Sequence, residues 1–456
     1  MKKGLALITV CSIAISMLTC GCSHQSNSFP ELPEETQVME TSETSMEEET
    51  VNTGLRSITV ALPYSSDTID LLAKLYYAKE TGIWDETESG DTVSLDYLDS
   101  ISTNIVINSL GTPYEGADIS WLKAQEDDDT MPDIFLSSDP AAAFDAGLTI
   151  SLNEYVYDSP YLDPAGVYSD ALSYCSEGGM LYGLPHYATC MILFGNTDLM
   201  PESGRLPAKM TVEELEEYLR LIDEEHEGIV PFASAYQMTP YLGSCFAEDS
   251  MVSYMCREEF RADPSISREL ILDIVSFVGS LYEADLSSDT DSEGADPVYS
   301  RSAAMWIGSS SQIRTWAEYY PDKLYLAKLP SSDVSNTGAL YLNCYPICVT
   351  KSCSDPDFAA SFASFISYDE DAVKLIFRLE NMTGFLPLTR NAGIWDYATS
   401  GEGIWNVTAQ TLKQIMDNAV YCPSSYDSKL YSNVMDYLSA YYYKDEDFSP
   451  EACYGT

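Results

Sequence analysis

The stretch that decides the fold is MPDIFLSSDPAAAFDAGLTISLNEYV, residues 131–156. Its first part, PDIFLSS, is a short apolar run bounded by Pro132 and Asp139, which predicts a buried β-strand. Upstream, RSITVALPY at residues 56–64 alternates into a second apolar run that stops at Pro63. This run predicts a buried first strand of the same kind.

The neighbouring segments alternate between strand and helix patterns. Ile69, Leu72, Leu75 and Tyr76 recur at helical spacing behind a candidate cap at Asp67. We further predict strands in TVSLDYL, residues 92–98, and STNIVINSL, residues 102–110, and a helix over residues 120–126. Alternation of strands and helices predicts an α/β fold with mostly parallel sheets.

Two later helices carry clear start signals. In MTVEELEEYLRLI, residues 210–222, Thr211 and Glu214 form a capping box ahead of one apolar stripe. In DPDFAASFASFI, residues 355–366, Asp355 is the cap and Pro356 occupies the first turn. The apolar side of the second helix is predicted to be core and consists of Phe358, Phe362 and Phe365.

The amino terminus has the pattern of an export signal. Lys2 and Lys3 precede an apolar run over residues 5–18, which is too short to span a bilayer, and the run leads into LTCGC. Small residues before cysteine predict lipidation, at Cys22 in preference to Cys20. The alternative is an ordinary secretory signal with incidental cysteines.

The segment after Cys22 predicts a flexible acidic tether. Residues 23–54 contain eight Glu and no Lys or Arg, and they have few apolar side chains to bury. A signal over residues 1–21 and a tether over residues 22–55 would hold the protein by its lipid at the outer face of the bacterial cytoplasmic membrane.

The charge and the sequence motifs exclude several function classes. The formal net charge is −49, which argues against nucleic acid and anionic lipid headgroups as partners. The chain has no HExxH, GxSxG, P-loop or GxGxxG motif, so we expect a protein that is not an enzyme and has no cofactor. Paired carboxylates of a glycosidase stay open as an alternative.

Neither the cysteines nor one acidic loop predicts a metal site. Nine cysteines lie beyond the amino-terminal ones, without a CxxC pair; buried thiols are the favoured interpretation, with one or two disulfides as the alternative. In DTDSEGAD, residues 289–296, oxygen ligands alternate as in a calcium loop, but position twelve is Ser300 rather than glutamate. We favour a solvated loop and leave calcium open. The nine cysteines are Cys175, Cys190, Cys245, Cys256, Cys344, Cys348, Cys353, Cys422 and Cys453.

From PDIFLSS onward, the order of motifs resembles the family 1 extracellular solute-binding proteins of ABC importers, which include the maltose-binding proteins. The resemblance covers roughly residues 58–390 and rests on the order of the motifs rather than on any one of them. After PDIFLSS these are GGMLYGLPHYATCMILFGNTDLM, MTVEELEEYL, RSAAMWIGSSSQI, LYLAKLPSS, LYLNCYPICVTKSCSDPDFAASFASFIS and TGFLPLTRN.

The resemblance implies a two-lobed periplasmic-binding-protein fold with three hinge crossings. Lobe one would comprise residues 56–187 and 345–387, and lobe two residues 188–344 and 388–456. The crossings would lie near Tyr187, at residues 343–346, and at TGFLPLT with Gly384 and Pro387 as hinge residues. Such a protein would act as a monomer that captures a small solute, with a sugar or oligosaccharide favoured. It would deliver the solute to ABC permease subunits with their cytoplasmic ATPase.

The resemblance also implies a ligand site in the cleft between the lobes. Its candidate residues are Tyr64, Ser65, Ser66, Ser137, Ser138, Asp139, His186, Tyr187, Thr189, Trp306, Ser309, Ser310, Tyr341 and Asn343. His186 is either a ligand-facing donor that makes binding pH-dependent or a hinge histidine bonded to backbone. A peptide or polyol ligand, a surface adhesion or sensing lipoprotein without transport, and a carbohydrate-active hydrolase remain as alternatives.

Overall fold

The computed structural model describes residues 54–85, 93–112, 116–157, 159–202, 204, 210–242, 264–330, 340–399, 413 and 419–422. Within these ranges, the side chains of residues 240, 264–272, 340–341 and 419–422 are outside the description. The predicted signal, the lipidation site at Cys22 and the tether up to residue 53 lie outside the described residues, as do Cys245, Cys256 and Cys453.

Strands and helices alternate along the described chain. The strands are β1 Arg56–Ala61, β2 Ile105–Ser109, β3 Ile134–Leu136, β4 Ser176–Glu177, β5 Met180–Leu181, β6 Leu184–Asn196, β7 Val230–Ala233, β8 Ser287–Ser288, β9 Ala303–Ser309, β10 Leu324–Ala327, β11 Leu340–Val349, β12 Leu386–Pro387 and β13 Ala419–Cys422. The helices are α1 Ser66–Glu80, α2 Leu95–Ser100, α3 Ile119–Asp127, α4 Pro140–Asp145, α5 Asn153–Val156, α6 Ser169–Tyr174, α7 Val212–Glu225, α8 Pro264–Glu283, α9 Ile313–Tyr319, α10 Pro356–Tyr368, α11 Glu370–Leu379 and α12 Ala392–Thr399. Among the described residues, no helix is both long enough and apolar enough to cross a bilayer.

Local sequence signals account for many of these elements. The predicted strands at β1, β2 and β3 and the predicted helix at α3 are confirmed. Both sides of the capping box form at the start of α7, between Thr211 and Glu214. Asp355 caps α10 by accepting a hydrogen bond from the N–H of Phe358. The three phenylalanines of α10 are fully buried, so their assignment to the core is confirmed.

Two local predictions are wrong, and capping chemistry explains both. Residues 92–98 were predicted as a strand, but α2 begins inside this segment because the Ser94 hydroxyl accepts the N–H of Tyr97. Asp67 was predicted to cap α1. The cap is Ser65 instead, whose hydroxyl accepts the N–H of Thr68, and Asp67 lies in the first turn.

The main sheet combines parallel outer strands with antiparallel central ones. Its described strands follow the order β2-β1-β3-β11-β6-β9-β7-β8, with β10 and β12 paired to β6 and β13 paired to β11. β1 pairs in parallel with β2 and β3, and β7 pairs in parallel with β8 and β9. Every antiparallel pair of this sheet involves β6 or β11. These two long strands therefore connect two α/β units.

β6 belongs to both units. Its amino-terminal half, residues 184–190, pairs with β11, and its carboxyl-terminal half, residues 191–196, pairs with β9 at residues 191–195 and with β10 at residues 193–196. A first core surrounds α1, α10 and α11 and extends along β6 as far as Phe194. A second core lies among α7, α8, β7 and β9. These two cores thus meet along β6, and a smaller third cluster among the described residues lies around Leu122 and Phe135.

The three segments predicted as crossings lie side by side. Tyr187 on β6 pairs with Tyr345 on β11 and with Pro387 on β12. Next to it, Thr189 pairs with Asn343 on β11. Because β6 lies between β11 and β12, the chain passes this point on three adjacent strands.

The segment after β12 contacts residues that were assigned to lobe one. Thr389 forms a bridge with Val167, and the N–H of Arg390 donates to the carbonyl of Gly166 at 2.6 Å. The ring centroids of Trp395 and Tyr168 are 6.5 Å apart. Residues 389–395 thus pack beside α6, and the assignment of residues 388–456 to lobe two stays a prediction.

Candidate ligand-binding site

Tyr64 and His186 form a buried pair beside the crossing strands. The Tyr64 hydroxyl is hydrogen-bonded to Nε2 of His186, and the two rings meet edge to face at 6.0 Å. Burial lowers the pKa of His186 to about 3, so its imidazole is neutral at physiological pH. Nδ1 has no hydrogen-bond partner among the described residues. His186 is therefore hydrogen-bonded to a phenol, not to the backbone group that one of our two interpretations required.

An aromatic row continues from this pair across all three crossing strands. The ring centroid of Tyr187 lies 5.0 Å from that of His186 and 5.4 Å from that of Tyr345. Phe385, which precedes β12, meets Tyr187 edge to face at 5.1 Å. Aromatic contacts of this kind add to the stabilisation from burial. The row places large rings at the junction of the two units.

Polar side chains gather at the next positions along β6. The Thr189 hydroxyl lies 3.5 Å from that of Tyr345, and Asn343, which is half-buried, pairs with Thr189 across the ladder. Ser309, also half-buried, ends β9 opposite Met191. The structure therefore brings three predicted site residues, Thr189, Asn343 and Ser309, to one place on β6.

Ser310 lies at the same junction but is fully buried. Its hydroxyl accepts the N–H of Cys190 at 3.1 Å and donates to the carbonyl of Gly384. Both hydrogen bonds are to backbone groups. The Ser310 hydroxyl thus bonds to two backbone groups inside the protein. Its assignment as a ligand contact stays a prediction.

Ser65 and Ser66 lie at the start of α1, at the surface. The N–H and the hydroxyl of Ser65 donate to Oε1 of Glu380, at 2.9 and 3.0 Å. Glu380 follows α11, so this contact joins the α1 cap to the segment that leads into β12. A carboxylate that the sequence did not single out therefore accompanies the predicted serines.

Ser137, Ser138 and Asp139 form a tight turn beside β11. The Ser137 N–H donates to the carbonyl of Pro346 at 2.8 Å, and its buried hydroxyl accepts the N–H of Asp139. The Ser138 hydroxyl donates to the carbonyl of Ala117 at 3.1 Å. Asp139 caps α4. The polar groups of this turn bond to backbone groups of the turn, of Ala117 and of Pro346, which follows Tyr345 on β11.

Two predicted site residues, Trp306 and Tyr341, have no described side-chain contact with the junction. Trp306 is 3% exposed and stacks on Phe194, with centroids 5.8 Å apart and an interplanar angle of 12°. Trp316 and Tyr320 enclose its other sides. Tyr341 lies in β11, but its side chain is outside the described residues.

Sequence reasoning missed Tyr345, Phe385 and Glu380. One available signal was the period of a strand, because Tyr345 is two residues from Asn343 and alternate residues share a face. The bulge between Tyr345 and Pro346 is not visible in the sequence. Glu380 is separated from its partner Ser65 by 315 residues, so no local pattern predicts that contact.

The acidic loop at residues 289–296 uses its carboxylates to hold its own backbone. Asp291 Oδ1 accepts the N–H groups of Glu293 and Ala295, both at 2.9 Å. Hydrogen bonds from Ser300 and from these amides lower the pKa of Asp291. Asp296 Oδ1 accepts the N–H of Val298 at 2.8 Å. In the part of the chain searched, no group of three or more His, Cys, Asp or Glu side chains could hold a metal ion.

The described cysteine side chains are free thiols. Cys175, Cys190, Cys344 and Cys348 are buried and Cys353 is half-buried, which confirms the prediction of buried thiols for the first four. Burial raises the pKa of Cys190 and of Cys353 to about 12. Such thiols are poor nucleophiles.

Comparison with known proteins identifies the family. The model of the family described as bacterial extracellular solute-binding protein matches residues 104–396. The chain belongs to this family. Its members are extracellular binding proteins, so this solute-binding protein has an extracytoplasmic location, and its chemistry is that of ligand binding. No curated protein matches the chain.

Solved structures show the fold of this solute-binding protein. An ABC substrate-binding protein from Listeria monocytogenes, in complex with cycloalternan, is 16% identical with a TM-score of 0.62, and the match covers 88% of this chain and 96% of that one. The sugar-binding protein MalE from Xanthomonas citri is 15% identical with a TM-score of 0.63, covering 87% and 94%. A cyclic alpha-maltosyl-1,6-maltose binding protein from Arthrobacter globiformis is 17% identical with a TM-score of 0.61, covering 88% and 96%. The predicted two-lobed α/β fold is confirmed.

Proposed function

We propose that this protein captures a carbohydrate, a sugar or oligosaccharide, outside the cell and delivers it to the permease subunits of an ABC importer. The observation that carries the proposal is the junction of β6, β11 and β12, where an aromatic row meets hydroxyl and amide side chains. The similar structures named above bind cycloalternan, sugar and cyclic maltosyl-maltose, which supports a carbohydrate for this chain too.

The chemistry of the junction suits a neutral polyhydroxylated ligand. Sugars present apolar C–H faces that pack against aromatic rings, and hydroxyls that need donors and acceptors. Tyr187 and Tyr345 would supply the rings. Thr189, Asn343 and Ser309 would supply the polar partners. The predicted contacts at the α1 cap and beside α4 would form the outer rim of the site.

Closure around the ligand would follow from the two-unit architecture. We propose that lobe one contains residues 56–187 and 345–387 together with residues 388–399, because the latter pack beside α6. Lobe two would contain residues 188–344. A ligand held at the junction favours the closed state if it contacts both lobes there and only one lobe in the open state.

Anchoring would keep the captured solute close to its permease. A lipid on Cys22 and an extended acidic tether would hold a monomeric receptor at the outer face of the membrane. About 32 tether residues give an r.m.s. reach of roughly 30 Å even as a random coil. Palmitate labelling of the wild type, and its loss in Cys22→Ala, would support the anchor; labelling that persists in Cys22→Ala would move the site to Cys20.

The test of ligand capture is a calorimetric and thermal-shift panel on the body from Leu55 onward. The panel contains mono- and oligosaccharides, polyols, amino acids and peptides. At 100 times its dissociation constant, a ligand of the native state adds about 2.7 kcal/mol of stability. We expect binding of one sugar class without product formation. Binding of peptides alone would contradict the carbohydrate assignment, and turnover of an oligosaccharide would favour a hydrolase.

Transport needs its own experiment, because a sensing lipoprotein would also bind sugar. Uptake of the radiolabelled ligand is compared between cells with and without the gene, and between wild-type and Cys22→Ala cells. We expect uptake to fall in both altered strains. Unchanged uptake in cells that lack the gene would instead favour the adhesion or sensing interpretation.

A further inference from the structure

One buried hydroxyl joins three separate segments at the junction. Ser310, in the turn after β9, accepts a hydrogen bond from the N–H of Cys190 on β6 and donates one to the carbonyl of Gly384 before β12. Ser310 is 0% exposed. The turn after β9 is therefore attached to the first and the third crossing strand at a point that water does not reach.

The backbone at Gly384 is shaped for this contact. Its φ is +92°, a conformation that side-chain-bearing residues rarely adopt. A Cβ at this position would overlap the carbonyl oxygen of Ser310. Two backbones thus pack directly against each other, and there is no intervening side chain that could slide or change rotamer.

A second contact joins the same two segments nearer the surface. The Asn381 amide is oriented so that both its nitrogen and its oxygen have hydrogen-bond partners. Its oxygen then accepts hydrogen bonds from Nη1 and Nε of Arg314, at 2.9 and 3.2 Å. Arg314 lies in α9, directly after the turn that contains Ser310. Its side chain is 58% exposed, so this contact is weaker than the buried one.

We propose that Ser310, Gly384, Arg314 and Asn381 form a clasp that is the fixed pivot of lobe closure, and that Ser310 is a positioning residue, not a ligand contact. The inference rests on the proposed function, since a pivot matters only if the lobes close. Breaking the clasp would leave the N–H of Cys190 and the carbonyl of Gly384 buried and unpaired, which is costly. The clasp therefore stays formed while the strands bend elsewhere.

The test measures the distance between the lobes without any ligand. A keto amino acid is placed at Asp67 on α1 and at Glu217 on α7, two exposed positions, so that dyes attach without labelling the native thiols. Single-molecule energy transfer then reports the distance distribution. We expect Ser310→Ala to broaden this distribution and shift its mean. Ser311→Ala, the same change one residue further along the turn, should leave it unchanged.

A second variant covers the case in which Ser310→Ala does not fold. Arg314→Ala removes the exposed contact to Asn381 and, with it, the exposed ion pair of Arg314 with Glu318, whereas Glu318→Ala removes the ion pair alone and is the control. We expect a smaller shift in the same direction for Arg314→Ala and none for Glu318→Ala. Identical distance distributions for Ser310→Ala and Ser311→Ala, with only a lower melting temperature for the former, would make Ser310 purely structural and overturn the proposal. If only Arg314→Ala folds, an unchanged distribution in that variant overturns it.

Ligand measurements separate failure of the clasp from failure of the proposed function. Without the keto amino acids, Ser310→Ala should change affinity for the bound sugar about three- to tenfold. If the wild type binds no sugar, the proposed function fails while the ligand-free distances still decide the pivot. If sugar binds and the distances do not respond to Ser310→Ala, the pivot fails alone.

Discussion

The two halves of β6 share one strand and nearly complete burial, yet they differ in the groups that they place inside the protein. Residues 184–190 carry His186, Tyr187 and Thr189, whereas residues 191–196 carry Ile192, Leu193 and Phe194. The first half meets the aromatic row and the polar side chains of the crossing strands; the second packs apolar side chains onto β9. The comparison teaches that residue type, rather than burial, distinguishes the junction from the core here.

The largest expected effect is on stability in the apolar half. Phe194→Ala removes a fully buried ring that stacks on Trp306, and we expect a loss of about 3–5 kcal/mol of unfolding free energy. Urea unfolding followed by tryptophan fluorescence and by circular dichroism measures this loss. Protein that remains folded should keep its ligand affinity. A loss of affinity in folded Phe194→Ala protein would remove the functional distinction between the two halves.

His186 gives the polar half its own signature, a dependence of stability on pH. Its folded pKa of about 3 is below the ordinary value of 6.5, so the folded state binds fewer protons and its stability rises with pH. We expect this contribution to be complete above pH 6.5 and to fall by about 1.4 kcal/mol per pH unit between pH 6.5 and 3. Near pH 4.5 the loss is about 3 kcal/mol.

Urea unfolding of the wild type and of His186→Gln at pH 7, 6 and 5 measures that slope. The variant should lack the part of the slope that belongs to His186. His226→Gln, at the end of α7, is the matched control and should keep it. Equal slopes in the wild type and His186→Gln would show that His186 is not held neutral by burial in solution.

The aromatic row should matter for binding as well as for folding, whereas the rings around Trp306 should matter for folding alone. Tyr345→Ala deletes the ring beside Tyr187 and the hydroxyl near Thr189, and we expect at least a tenfold loss of sugar affinity, about 1.4 kcal/mol. Isothermal titration with the sugar found in the panel measures it. Tyr320→Ala removes a similarly buried ring from the Trp306 cluster and serves as the control. Equal affinities in the two variants would exclude Tyr345 from the site.

The fold was predictable from sequence because its signals are local. The apolar runs at β1 and β3, the capping box at Thr211 and the cap at Asp355 each determine structure within a few residues. The strand predicted at residues 92–98 failed where one hydroxyl, that of Ser94, started a helix instead. Short apolar segments do not distinguish these outcomes by periodicity alone.

The candidate site was only partly predictable because long-range contacts build it. Thr189 and Asn343 were named from motif order and do meet across the ladder. Trp306 was named in the same way, but it packs in an aromatic cluster through partners such as Phe194, 112 positions earlier in the chain. Ser310 was predicted in the right place with a different partner, since only the fold brings Gly384 against it.

The smallest expected effects give the closest comparison, because each changes a single small group on adjacent segments of one strand. Thr189→Val keeps the shape of the side chain but removes the hydroxyl that lies 3.5 Å from Tyr345, whereas Ile192→Val removes one methylene from the apolar half. We expect Ile192→Val to lower the unfolding free energy by about 0.5–1.5 kcal/mol and to leave the sugar affinity unchanged. Thr189→Val should lose a few-fold in affinity, with a stability change of about 1 kcal/mol or less. Calorimetric binding and urea unfolding are measured on both variants. Thr189→Val should mainly lower affinity, and Ile192→Val should mainly lower stability. If Ile192→Val also weakened binding, the junction would extend into the carboxyl-terminal half of β6, and residue type would no longer mark its boundary.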